Sequence, residues 1–201
     1  LDARDFTAGP EDVYTEAREA LQWLLDELPP DADMAHQLID AGAIPRLLKL
    51  TSDGAHVDVQ LEVAWVLTNI TGAAEPDDLA RVMSNNGVLR VLVIMLFHVD
   101  GHVREQATWC LGNIIADNTT YRDLALHEGA LAPLISHSMT AADEEHLDDH
   151  VAPGRAKRHW ARRISRTLGN LCGGFPSPEY KEVEPALTLL GRLLFEDDDN
   201  V

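Results

Sequence analysis

Apolar residues in this chain fall in short runs with helical spacing, and one such run repeats. It reads Ala64-Trp65-Val66-Leu67-Thr68-Asn69-Ile70, then Thr108-Trp109-Cys110-Leu111-Gly112-Asn113-Ile114, then Ser165-Arg166-Thr167-Leu168-Gly169-Asn170-Leu171. A spacing of four puts Trp and Asn on one helix face, while the interleaved Leu and Ile positions turn toward a core. A second phrase recurs in Gly42-Ala43-Ile44-Pro45, Gly87-Val88-Leu89-Arg90 and Gly129-Ala130-Leu131-Ala132-Pro133. Gly there is expected to end one helix, and Pro, absent from the middle copy, to enter the first turn of the next. Trp65 and Trp109 stand 44 residues apart and Gly87 and Gly129 stand 42 apart, inside the window of about 40–47 residues of multi-helix solenoid repeats. The predicted architecture is an all-α array.

Helices are predicted near 11–28, 33–41, 44–52, 56–71, 76–85, 88–98, 102–116 and 182–195, with Pro29-Pro30 stopping the first. This divides the chain into a lead-in and the last helix of a first repeat (1–30), repeats at 31–73, 74–117 and 118–172, and an incomplete repeat with an acidic end (173–201). In the first helix Trp23 and Glu27 take the slots of the later Trp and Asn. Asn113 and Asn170 are 57 residues apart, so the third full repeat carries an insertion, placed at about 137–156. It reads as a loop, acidic over 143–149, leading into a basic helix that carries Arg155, Lys157, Arg158, Arg162, Arg163 and Arg166. A solenoid buries its core only against neighbours, so an array stopping in mid-repeat is expected to belong to a longer protein.

Composition narrows the partners. Of 201 residues, 34 are acidic and 16 basic, a net charge of −18; this argues against nucleic acid or an anionic membrane and favours a cationic partner. Cys110 and Cys172 lack metal-ligand spacing and read as small core residues in a reducing compartment. No run approaches the length and apolarity of a membrane span, and the first residues do not resemble a secretory signal. His146 and His150 invite a metal reading, but nothing rigid accompanies them, so no metal or cofactor is expected. Phosphate loops, nucleophile elbows and metalloprotease helices are absent, so no enzyme activity is expected.

From about Leu38 to Leu194 the phrases above, with Tyr121-Arg122-Asp123-Leu124 and Glu184-Pro185-Ala186-Leu187, resemble the importin-α family of armadillo-repeat adaptors. The resemblance implies an armadillo right-handed superhelical solenoid that binds basic nuclear-localisation-signal peptides and works in both cytoplasm and nucleus. It implies that Trp65, Asn69, Trp109 and Asn113 line the cargo groove and that Gln106 joins them. Asp117 would pair with the principal cargo lysine, and Gly72 would be its point of close approach. The physical logic is independent: Asn amides both donate and accept along an extended backbone, and indole faces suit Lys and Arg stems and charges.

One departure stands out. Where a third Trp is expected the chain has Arg166, and three residues earlier it has Arg163, so only Asn170 of that platform remains. Two cations there are expected to repel a basic peptide and shorten the groove to two full pockets. Alternatively, Arg155-Ala156-Lys157-Arg158 mimics a signal and occupies the groove itself. Plainer readings are that the Trp residues are core, that the Asn residues bridge adjacent helices, and that Asp117 ends its helix. A rival function is an armadillo scaffold that has lost cargo transport and meets another partner through the altered repeat. The Arg/Lys-rich autoinhibitory segment that precedes the array in the family, and engages the import receptor, is not visible in residues 1–30.

Overall fold

A computed structural model of the chain describes residues 10–51, 56–85, 87–116, 118–140 and 153–195. Among them are eleven α-helices and no strand. In chain order they are α1 (Pro10–Glu27), α2 (Ala32–Asp40), α3 (Ala43–Lys49), α4 (Val57–Ala73), α5 (Pro76–Met83), α6 (Val88–Met95), α7 (Gly101–Ile115), α8 (Thr119–His127), α9 (Leu131–Thr140), α10 (Pro153–Cys172) and α11 (Tyr180–Phe195).

The long helices α1, α4, α7 and α10 form a row in chain order, α4 packing between α1 and α7, and α7 between α4 and α10. Shorter pairs back this row: α2 and α3 rest on α4, α6 on α7, and α8 and α9 on α10. A helix hemmed in on several sides must be apolar around most of its circumference. Accordingly α4 buries Val59, Val63, Val66, Leu67 and Ile70, and α7 buries Val103, Ala107, Cys110, Leu111 and Ile114. Trp160, Ile164, Leu168 and Leu171 do the same on α10. All belong to one continuous core, and each large side chain contributes about 1.5–3 kcal/mol on leaving water.

Local chemistry sets the helix ends. Asp31 caps α2 by accepting from the Met34 amide at 2.9 Å, Asp100 caps α7 through the His102 and Val103 amides, and Asn118 caps α8 through the Tyr121 amide at 3.0 Å; caps of this kind are worth about 1 kcal/mol each. Gly42 and Gly129 sit at φ 70° and 88°, the left-handed stop that favours glycine. Gly87 does not share that role, because its φ is −95°. A Cβ there would come within 3.3 Å of Leu48 Cδ1, so packing against α3 explains the middle glycine.

Around the insertion the helices reach further than the sequence pattern indicated. α9 runs to Thr140 and α10 starts at Pro153, so both margins of the expected 137–156 insert are helical; the acidic run 143–149, His146 and His150 lie outside the described residues. Cys110 is fully buried, which pushes its thiol up to about 12. Cys172 is only half-buried, packed against the core. No described helix is long and apolar enough to cross a membrane.

Candidate peptide-binding groove

Where the row α1, α4, α7, α10 is not covered, it presents a stripe of large side chains. Trp23, Trp65 and Trp109 are 56%, 45% and 37% exposed, one on each of the first three helices. Burial is the usual fate of an indole, so partial exposure on three adjacent helices sets these side chains apart from the core. α10 breaks the series with exposed Arg166. Its own indole, Trp160, is fully buried and stacks near His137 with ring centroids 5.9 Å apart. Trp160 stands outside the repeated phrase; its spacing to Ile164, Leu168 and Leu171 is the signal that marks it as core.

The asparagines are partly exposed beside the indoles, and two of them link helices. Asn113 donates its side-chain amide to the Thr68 carbonyl of α4 at 3.2 Å, and Asn170 donates to the Gly112 carbonyl of α7 at 3.4 Å. Each acceptor is the residue just before the asparagine of the preceding helix. The bridging role therefore exists in the fold, and it uses one amide hydrogen while the other and the carbonyl oxygen stay available. Asn69 makes no such bond among the described residues. Gly72 faces Asn113: a Cβ there would lie 3.0 Å from Asn113 Nδ2, so helix packing alone accounts for a small residue at this point. Thr68 reinforces the seam by donating to the Gln106 backbone carbonyl at 3.3 Å.

One turn before each Trp position stand Glu62, Gln106 and Arg163. Glu62 is nearly buried, its Oε1 3.5 Å from Arg18 Nε of α1, and burial raises its carboxyl pKa. Among the described residues Glu62 Oε2 and Gln106 Oε1 have no hydrogen-bond partner, and both are shut off from solvent. Arg163 crosses from α10 to α7, where its guanidinium carbon lies 4.0 Å from the Trp109 ring centroid and Nη1 pairs with Glu105. A cation on an indole face contributes about 0.5–2 kcal/mol, more when desolvated. Arg163 thus covers the Trp109 face with a cation from within the chain.

Two clefts adjoin this contact. One is lined by Gly72, Ala74, Asn113, Asn118, Tyr121 and Arg166, the other by Trp109, Asn113, Arg162, Arg163 and Arg166. The structure therefore brings Trp65, Asn69, Gly72, Trp109 and Asn113 onto neighbouring helices α4 and α7, and Asn170, Arg163 and Arg166 onto the next, α10. Asp117 lies outside the described residues, as do the side chains of Arg155, Lys157 and Arg158. Arg122 of α8, quoted above in a family phrase but given no role there, is 1% exposed. It donates to the Gly173 carbonyl and through Nε to Asp123 at 2.8 Å, tying α8 to the turn after α10.

The Armadillo/beta-catenin-like repeat family matches residues 31–72 and 76–116. Among curated proteins, importin subunit alpha-2 of Arabidopsis thaliana is 35% identical over 94% of this chain, and importin subunit alpha-1b of Oryza sativa subsp. japonica is 33% identical over 94%. The chain spans only 31% and 32% of the length of these relatives. A designed armadillo repeat protein superimposes with a TM-score of 0.69 at 20% identity, covering 97% of this chain and 72% of that one. A second, solved in complex with the peptide (KR)4, gives 0.60 at 19% identity, covering 96% and 90%. A row of stacked long helices backed by short pairs, together with two matched repeats, gives this chain the armadillo-repeat fold, and in sequence it is similar to relatives that bear the importin alpha name.

Proposed function

We propose that the chain is the peptide-binding part of a nuclear-import adaptor, holding basic nuclear-localisation-signal peptides in extended form across α4 and α7. The observation that carries this reading is the exposure of Trp65 and Trp109 on two helices packed side by side, each four residues before an asparagine that keeps free hydrogen-bonding capacity. The Trp65 face takes a Lys or Arg stem, Trp109 walls the path with its ring covered by Arg163, and Asn69 and Asn113 pair with the peptide backbone. The net charge of −18 adds long-range attraction for a cationic ligand. No bond is made or broken, and the protein needs no cofactor. In this reading it moves between cytoplasm and nucleus and engages an import receptor through a segment other than the helices of the groove.

A fluorescence titration with a lysine-rich signal peptide tests it. Binding that weakens with added salt and falls at least tenfold in Trp65→Ala is the expected result; no binding by the wild type overturns it. A second reading, an armadillo scaffold without general cargo transport, is favoured by one observation, the Arg163 guanidinium seated on Trp109. In that case the lysine-rich peptide does not bind.

A further inference from the structure

The α10 end of the groove differs in kind from the α4 end. Arg163 is satisfied within the chain by Glu105 and the Trp109 ring, so the slot beside Trp109 is closed to a second cation. Arg162 and Arg166 are exposed, line the same cleft, and have no ion pair or hydrogen bond among the described residues. They are four residues apart on one helix, so both face the cleft together, and like charges held this way repel unless an anion joins them. Arg166 also borders the adjoining cleft that contains Gly72 and Asn113, which makes the basic rim continuous with the peptide path. In a chain carrying −18 overall, this is a local reversal of sign.

Resting on the peptide-binding reading above, we infer that the ligand is a peptide of two signs: basic residues over Trp65 and the α4–α7 seam, and Asp or Glu side chains seated against Arg162 and Arg166. Planar guanidiniums match carboxylates in a two-pronged geometry, which gives the site direction as well as charge. Adjacent packed helices lie about 8–10 Å apart, so the α4–α7 seam and α10 are separated by roughly one and a half spacings. An extended strand rises about 3.3 Å per residue, which places the acidic residues about four positions from the basic ones. Arg163 enforces the choice, because a peptide basic throughout meets an occupied slot and two like charges there.

Fluorescence anisotropy with the whole chain and labelled peptides of equal length tests this. One peptide carries lysines and a neutral tail; two carry the same lysines with a glutamate tail four residues away, in either chain order; one carries only the glutamates. The expected result is that one of the two-sign peptides binds at least fivefold more tightly than the neutral-tailed one. Within the double variant Arg162→Glu/Arg166→Glu that preference, read as the ratio of the two affinities, is abolished or inverted, and Arg163→Ala raises the affinity of the neutral-tailed peptide. Both altered arginines of the double variant are exposed, so an unchanged circular dichroism melt is expected alongside. Equal binding of neutral-tailed and two-sign peptides overturns this inference and leaves the basic-peptide reading intact. Binding of the glutamate peptide alone, lost in the double variant, overturns the basic-peptide reading and keeps the acidic seat. Absence of binding by all four peptides overturns both.

Discussion

The Asn113 side chain of α7 donates to the Thr68 carbonyl of α4 at 3.2 Å, and the same link recurs one helix later from Asn170 to Gly112. The asparagine of the repeated phrase is thus a tie between successive helices as well as a candidate groove residue. Asn69, which makes no such bond among the described residues, is its natural comparison. Asn113→Ala is expected to cost about 0.5–1.5 kcal/mol of stability for one lost hydrogen bond, and Asn69→Ala less than about 0.5 kcal/mol. Urea unfolding checks this, and equal losses in the two variants would show that the tie contributes nothing.

Two glycines of the same helix row should respond in opposite directions to alanine. A Cβ on Gly112 would meet Thr167 Oγ1 at 2.7 Å, in a seam where Thr167 already donates to the Thr108 carbonyl at 3.2 Å. Gly112→Ala is therefore expected to lose about 1–3 kcal/mol through overpacking between α7 and α10. A Cβ on Gly169 meets nothing within 4 Å, and this residue lies inside α10, so Gly169→Ala should gain about 0.5–1 kcal/mol. Thermal melts of the pair distinguish the two effects.

The indoles divide into those that stabilise and those proposed to bind. Trp160 is fully buried against His137, and Trp160→Ala is expected to cost about 3–5 kcal/mol. Trp65 is 45% exposed; Trp65→Ala should cost well under half of that and lower peptide affinity instead. A melt and a peptide titration on both variants separate the roles.

Acid should loosen the α9–α10 packing. Burial holds the His137 pKa down to about 4 from 6.5, with Arg104 adding to the effect and the Leu96 backbone opposing it. Between those values the unfolded chain binds the proton and the folded one does not, so the stability contributed by neutral His137 is complete above about pH 6.5 and falls as pH drops toward 4. His36 has the opposite sign: its hydrogen bond to Asp78 and the charges of Asp78 and Asp40 raise its pKa above 6.5, so its contribution is complete below 6.5 and lost as pH rises through the folded value. Denaturant midpoints across this acid range should show the His137→Gln variant flatter than wild type below about pH 6.5. An unchanged slope would remove His137 as the cause.

Repeat period, all-helical character and most helix spans were legible in the sequence because each depends on residues within a turn or two of one another. The Trp-to-Asn spacing and the Gly-Pro punctuation are local signals of that kind. The conformation of Gly87 was not legible, since its reason is Leu48 on another helix. The same holds for Cys172, which reads in the sequence as a core residue like Cys110 but which neighbouring helices leave half-buried.

By itself the sequence determined that this chain is a repeated stack of helices with two indole–carboxamide couples, because periodicity dictates which residues share a face. Only the tertiary structure decided that the Trp160 indole of α10 packs against His137 of α9. Only the structure showed that Asn113 ties helices together and that Arg163 settles on Trp109 instead of standing free to repel a ligand. Each of these outcomes joins residues 23 to 58 positions apart across a helix seam, and such distances are set by how whole helices pack, which no local spacing encodes.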